Sequence, residues 1–165
     1  MNLGQVVFLY VGISPQNNKM ASSGVNGCLK LCSFNCRSIK NCYPVIADLC
    51  NVHDIVLLQE HWLLPDELTV LHNVHFDFHS HALSAVDVSS NILTGRPYGG
   101  TAILYHKRFA DRIHVCYTDV SRITAVIVDT DAGPILVANV YLPTNYGDLD
   151  SLELYMLIAY LKFRL

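Results

Sequence analysis

Asp54-Ile-Val-Leu-Leu-Gln-Glu-His-Trp62 constrains this chain more than any other stretch. Four consecutive large apolar residues, Ile55 to Leu58, predict a strand buried on both faces. The run stops abruptly at Gln59 and Glu60. A carboxylate at the mouth of such a strand either enters solvent or is held for a purpose, because burying it unpartnered costs several kcal/mol, or the group neutralises. A hard cation such as Mg²⁺ resolves that conflict, since carboxylate oxygens are what it prefers.

Around this strand the pattern is that of an α/β domain. Cys28 to Arg37 predicts a first strand with Leu29, Leu31, Ser33 and Asn35 on one face. Pro44 is expected at the first turn of a short helix carrying Val45, Ile46 and Leu49 inward, with Asn51 as its stop. Pro65-Asp-Glu67 predicts another short helix, and Phe76 to Leu83 a strand. Asp87 to Pro97 is loop-like. From Gly100 the pattern is all-β: Gly100–Tyr105, Ile113–Thr118, Arg122–Thr130 and Pro134–Tyr141, with a hairpin turn at Asp129–Gly133. Asp150 and Glu153 have capping-box spacing ahead of a helix, Leu152–Leu161, that is apolar almost all round and expects burial.

Composition narrows the partners. Of 165 residues only 15% are charged against 52% hydrophobic, and the net charge is −3. No global basic field marks the chain for nucleic acid or membrane, although a local patch of Lys30, Arg37, Lys40, Arg96, Lys107 and Arg108 is open. No segment reaches the roughly 20 apolar residues of a membrane helix. The six cysteines contain no Cys-x-x-Cys pair. They are expected as reduced, mostly buried thiols of an intracellular protein, nuclear or cytoplasmic. His72, His75, His79 and His81 lack the partners and spacing of a zinc site. Residues 1–27 are expected to lie outside the fold as a flexible extension, with Met20 a possible start, and the domain occupies 28–165. Nothing in the sequence assigns an oligomeric state.

Four short motifs carry a resemblance. Ser33-Phe-Asn35, Leu58-Gln-Glu60, Gly95-Arg-Pro-Tyr-Gly-Gly-Thr-Ala-Ile-Leu104 and Asn139-Val-Tyr-Leu-Pro143 occur in the order of the endonuclease/exonuclease/phosphatase superfamily. The wording Gln-Glu-His-Trp-Leu-Leu-Pro and Gly-Arg-Pro-Tyr-Gly-Gly most resembles the apurinic-like endonuclease domain of non-LTR retrotransposons, the elements that pair it with a reverse transcriptase. The resemblance implies a four-layer α/β sandwich, two packed and mostly antiparallel sheets with outer helices, and Mg²⁺- or Mn²⁺-dependent phosphodiester hydrolysis on DNA. Glu60 matches the family's metal-binding glutamate, Asn35 the asparagine near metal and phosphate, and Tyr141 the tyrosine that hydrogen-bonds the phosphate. Arg96, Tyr98 and Asn145 are candidate substrate contacts.

The departures matter as much. Thr144 stands where the family usually has asparagine, with Asn145 one place later. The downstream Gly-Asp-x-Asn and Ser-Asp-His motifs, which hold the family's water-positioning residues and its histidine, do not occur. The resemblance therefore covers the first half to two-thirds of a family domain and implies a partial sandwich, a vestigial metal site and little activity from this chain alone. Two alternatives stand beside a truncated endonuclease: a phosphatase or phosphodiesterase of the same superfamily, and a non-catalytic fragment that binds nucleic acid or protein.

Overall fold

A computed structural model of the chain describes residues 5–12, 28–86, 97–118 and 120–142. The Leu152–Leu161 helix and its Asp150–Glu153 cap lie outside them, as do Arg96 and Asn145. Among the described residues eight strands form two four-stranded sheets. The first sheet contains β2 (Leu31–Asn35), β3 (Ile55–Gln59), β4 (Phe78–Leu83) and β5 (Thr101–His106), in the order β2-β3-β5-β4. The second contains β1 (Gln5–Gly12), β6 (Ile113–Cys116), β7 (Ile123–Thr130) and β8 (Gly133–Leu142), in the order β1-β8-β7-β6. Among the described strands only β2 and β3 pair in parallel, so the architecture is α/β with two mostly antiparallel sheets packed together.

Strand alternation explains the packing. Ile55 and Leu57 of β3 and Ile103 of β5 face Val126, Val128, Ile135 and Val137 of the second sheet, and these residues form the core between the sheets. The alternate residues Val56, Leu58, Ala102 and Leu104 face the other way, onto helix α1 (Ile39–Val52) and a 3-10 helix at Pro65–Asn73. Because both faces of β3 are covered, all five of its residues are buried, as its unbroken apolar run predicts. The second sheet carries its own outward cluster of Ile123, Ala125, Leu136, Ala138 and Val140, all buried.

Two expectations need correction. Gln5–Gly12 is not outside the fold: it pairs antiparallel with the whole of β8 and covers its edge. Its β-branched and aromatic residues suit a strand, but the small polar residues that follow make the segment read as detached. Helix α1 begins at Ile39 rather than Pro44, which sits inside it. The tertiary structure sets that start, because the backbone N–H groups of Ser38 and Ile39 donate to the carbonyls of Glu60 and His61 at 2.8 and 3.2 Å. Those bonds satisfy donors that a helix N-terminus otherwise leaves open. Of the basic residues that the sequence leaves open as a patch or as scattered charge, Arg108 pairs with Asp54, Lys40 with Glu67, and Lys107 donates to the Phe76 carbonyl.

The six cysteines are free thiols. Burial pushes Cys32 up to about 11 and Cys36 and Cys50 up to about 12, which makes them poor nucleophiles. No helix among the described residues is long and apolar enough to cross a membrane.

Candidate functional site

Asn35, Glu60 and Tyr141 come from three different strands and meet at one end of the sandwich. Asn35 ends β2, Glu60 follows β3, and Tyr141 is next to last in β8. The Asn35 amide donates from Nδ2 to Glu60 Oε1 at 3.0 Å, and the Tyr141 hydroxyl donates to the same oxygen at 2.6 Å. Among the described residues no donor engages Oε2. The half-buried carboxylate is thus fixed by two neutral donors through one oxygen, while the other stays available.

Tyr141 is equipped for that role. Burial first, then the adjacent Glu60 carboxylate, push its phenol up to about 12, and Arg122 and Arg37 offset this only in part. At neutral pH the group keeps its proton and donates it to Glu60. The same influence places two arginines within electrostatic reach of the site. Arg122 leads into β7, and its carbonyl accepts from the Tyr141 N–H at 3.0 Å.

The backbone under Glu60 is strained. Among the described residues four non-glycine residues have φ in the left-handed region: Arg37 at 43°, Ser38 at 92°, Glu60 at 56° and Trp62 at 57°. All four lie in the two segments that follow β2 and β3. Such conformations cost about 1–3 kcal/mol each and persist where surroundings over-determine them, which is characteristic of functional sites. Here the surroundings are visible. Glu60 N–H donates to the Gly100 carbonyl at 2.9 Å and Trp62 N–H to the Gly99 carbonyl at 3.1 Å, while the Glu60 carbonyl caps α1.

His61, fully buried between them, is structural. Its Nδ1 accepts from Leu63 N–H at 3.0 Å, which leaves Nε2 to donate to the Leu83 carbonyl at 3.0 Å. Burial lowers its pKa, consistent with this neutral form. Gly100, at φ +83°, passes so close that a Cβ there would stand 2.4 Å from the imidazole ring. The double glycine thus provides close approach and a bend, not a phosphate cradle.

Below the site lies a polar layer that the motifs do not announce. Gln59 of β3 exchanges hydrogen bonds with Ser33 and donates to Asn139 Oδ1. The Asn139 amide donates across the core to the carbonyls of Leu58 and Ala102 at 2.8 and 2.9 Å. Together with the Tyr141–Glu60 hydrogen bond, this layer ties the two sheets, and Tyr141 lies two residues on from Asn139 along β8. Thr101 and Thr124 are the register partners of Gln59 and Asn139, and both are fully buried.

Tyr98 is exposed at the same end of the sandwich and makes no contact with Glu60 among the bonds described. The histidines of the 72–81 stretch have separate partners. His72 bonds Ser80 and His75 bonds Asn51, and among the described residues no three His, Cys, Asp or Glu side chains cluster. Sequence reading missed Arg122 and the amide pair Gln59–Asn139. Strand parity is the signal for the latter, since an amide at each position falls on a face that is otherwise apolar.

No family model matches the sequence, and no curated protein does. Among solved structures the chain is similar to the 3′ phosphatase NExo from Neisseria bound to product DNA hairpin. Identity is 21% and the TM-score 0.42, over 61% of this chain and 38% of that one. The chain therefore spans little more than a third of that structure's length, and a likeness of this size assigns neither a family nor an activity.

Proposed function

We propose that the Asn35–Glu60–Tyr141 cluster is a divalent-cation site for phosphodiester hydrolysis on nucleic acid, and that the two-sheet fold, β1 included, corresponds to part of an endonuclease domain of non-LTR retrotransposon type. The single observation that carries the reading is the shared hydrogen bonding of Asn35 and Tyr141 to Glu60 Oε1 on a strained backbone. A cluster built only for stability gains little from such strain. The donor set fits Mg²⁺ or Mn²⁺: one oriented carboxylate with an open oxygen suits a hard cation that keeps several waters and completes its shell with substrate phosphate. Glu60 would hold the cation, and when bound it would neutralise charge developing on a phosphoryl oxygen.

The chain's own residues do the rest. Tyr141 and Asn35 orient the carboxylate and, as neutral donors, add no charge of their own. Arg37 and Arg122 supply positive potential where a phosphate would approach. Gly-Asp-x-Asn and Ser-Asp-His, which hold the water-positioning residues and the histidine in the family the motifs resemble, are absent from the sequence. A missing general base alone lowers a rate by about 10²–10⁴-fold. The expected result with supercoiled plasmid is therefore slow nicking in Mg²⁺ that EDTA and Glu60→Ala both remove. Robust Mg²⁺-dependent nicking would overturn the claim of a weakened site, and nicking indifferent to EDTA or to Glu60→Ala would overturn the site itself.

A further inference from the structure

We infer that Tyr98 and Tyr117 are stacking platforms for unpaired nucleic-acid bases, so that the substrate class of the Glu60 site is a single-stranded or frayed strand rather than an intact duplex. The inference rests on the phosphodiester reading of that site.

Exposed aromatic residues taken singly are ordinary. Among the described residues three are more than three-fifths exposed: Tyr98 at 64%, Tyr117 at 83% and Phe76 at 79%. Phe76 stacks on His75 ahead of β4, at the far end of the sandwich. Tyr98 and Tyr117 both stand at the Glu60 end, one just before β5 and the other just after β6. Neither is loose. Tyr98 immediately precedes Gly99, whose carbonyl holds the Trp62 N–H, so its backbone is tied to the segment that carries Glu60. Tyr117 meets the ring of His81 edge-on, with centroids 6.1 Å apart and planes at 81°.

That contact also fixes the layout of this end. β4 and β6 are edge strands of different sheets, and His81 and Tyr117 bring those edges together. The Asn35–Glu60–Tyr141 cluster lies at the ends of β2, β3 and β8, Tyr98 precedes β5, the strand between β3 and β4, and Tyr117 follows the edge strand β6. A strand whose phosphate sits at Glu60 near Arg37 and Arg122 would therefore carry its neighbouring bases toward exposed aromatic faces. In a duplex those base faces are already stacked. In a single strand they are free, and base–aromatic stacking tolerates any sequence because every base presents a π-face.

Fluorescence anisotropy with the full chain tests this, using a labelled 12-nucleotide single strand and its blunt duplex in Ca²⁺. The expected result is single-strand binding about tenfold tighter than duplex binding, with Tyr117→Ala and Tyr98→Ala each weakening the single strand about tenfold. Phenylalanine at either position restores it. Both side chains are exposed, and a circular dichroism melt checks that the variants fold. If wild type binds both oligonucleotides equally and Tyr117→Ala changes nothing, the inference falls and the phosphodiester reading stands. If wild type binds neither, both fall.

Discussion

Gly100→Ala is expected to destabilise the protein by about 3–5 kcal/mol, from a left-handed backbone penalty of about 1–2 and a steric cost of similar or greater size. Gly100 has φ +83°, and the new methyl would stand 2.4 Å from the His61 ring. A flexible neighbour would move aside, but His61 is fully buried and bonded to the Leu83 carbonyl and the Leu63 N–H. Since domains of this size are stable by only about 5–15 kcal/mol, the urea midpoint should collapse. A double-mutant cycle isolates the cause. In a His61→Ala background the steric part vanishes, and Gly100→Ala should cost only the backbone part, giving a coupling of at least about 1 kcal/mol. Strict additivity would show that the ring does not set the requirement for glycine.

Asn139 is the second position of large effect. Its amide satisfies two main-chain carbonyls of the opposite sheet and accepts from Gln59, all in a buried layer. Asn139→Ala removes three hydrogen bonds and leaves the Gln59 amide short of a partner, for an expected loss of about 2–4 kcal/mol. Asn139→Asp is the sharper variant. An ionised carboxylate there would face the carbonyls of Leu58 and Ala102, so the folded state favours the protonated acid and holds its pKa above the unfolded value of about 3.9. Raised in the folded state, the group leaves stability intact below the unfolded pKa and removes it as pH rises through the folded one. Asn139→Asp should therefore be much less stable at pH 7 than at pH 4 relative to wild type. A flat difference between these pH values would mean that the amide does not bond those carbonyls.

These two positions also show how far the sequence reveals the site. The apolar run Ile55–Leu58 ending in Glu60 is legible because burial on both faces leaves no polar position until the strand ends. Asn35 and Tyr141 are singled out only by the resemblance of the motifs that contain them, since an amide or a phenol at the end of an apolar strand is ordinary by itself. What the sequence hides is non-local. Helix α1 starts at Ile39 because carbonyls of Glu60 and His61 cap it, and no spacing within 37–52 encodes a partner more than twenty residues away. The place of Gln5–Gly12 depends likewise on an edge of β8 that only the folded sheet presents. Gln59 and Asn139 looked like punctuation in motifs, and their role as a tie between sheets appears only when β3 and β8 face each other. Arg122 has no motif at all. Its importance comes from standing beside Tyr141 across a strand pair.

The strain in the Glu60 segment links these observations. Left-handed φ values at Glu60 and Trp62 are maintained by Gly99, Gly100 and the start of α1, and Tyr141 lies two residues on from Asn139 along β8. The structure spends conformational energy to hold one carboxylate in one orientation, and that orientation is what the proposed cation site uses.

Mn²⁺ binding followed by electron paramagnetic resonance tests this account most directly, because it reads the site without requiring turnover. Wild type is predicted to hold one Mn²⁺ that excess Mg²⁺ displaces. Glu60→Gln, which keeps an acceptor for both Asn35 and Tyr141, should abolish that binding, and Tyr141→Phe should weaken it at least about tenfold by freeing the carboxylate. Undiminished Mn²⁺ binding in Glu60→Gln, or none in the wild type, would contradict the account.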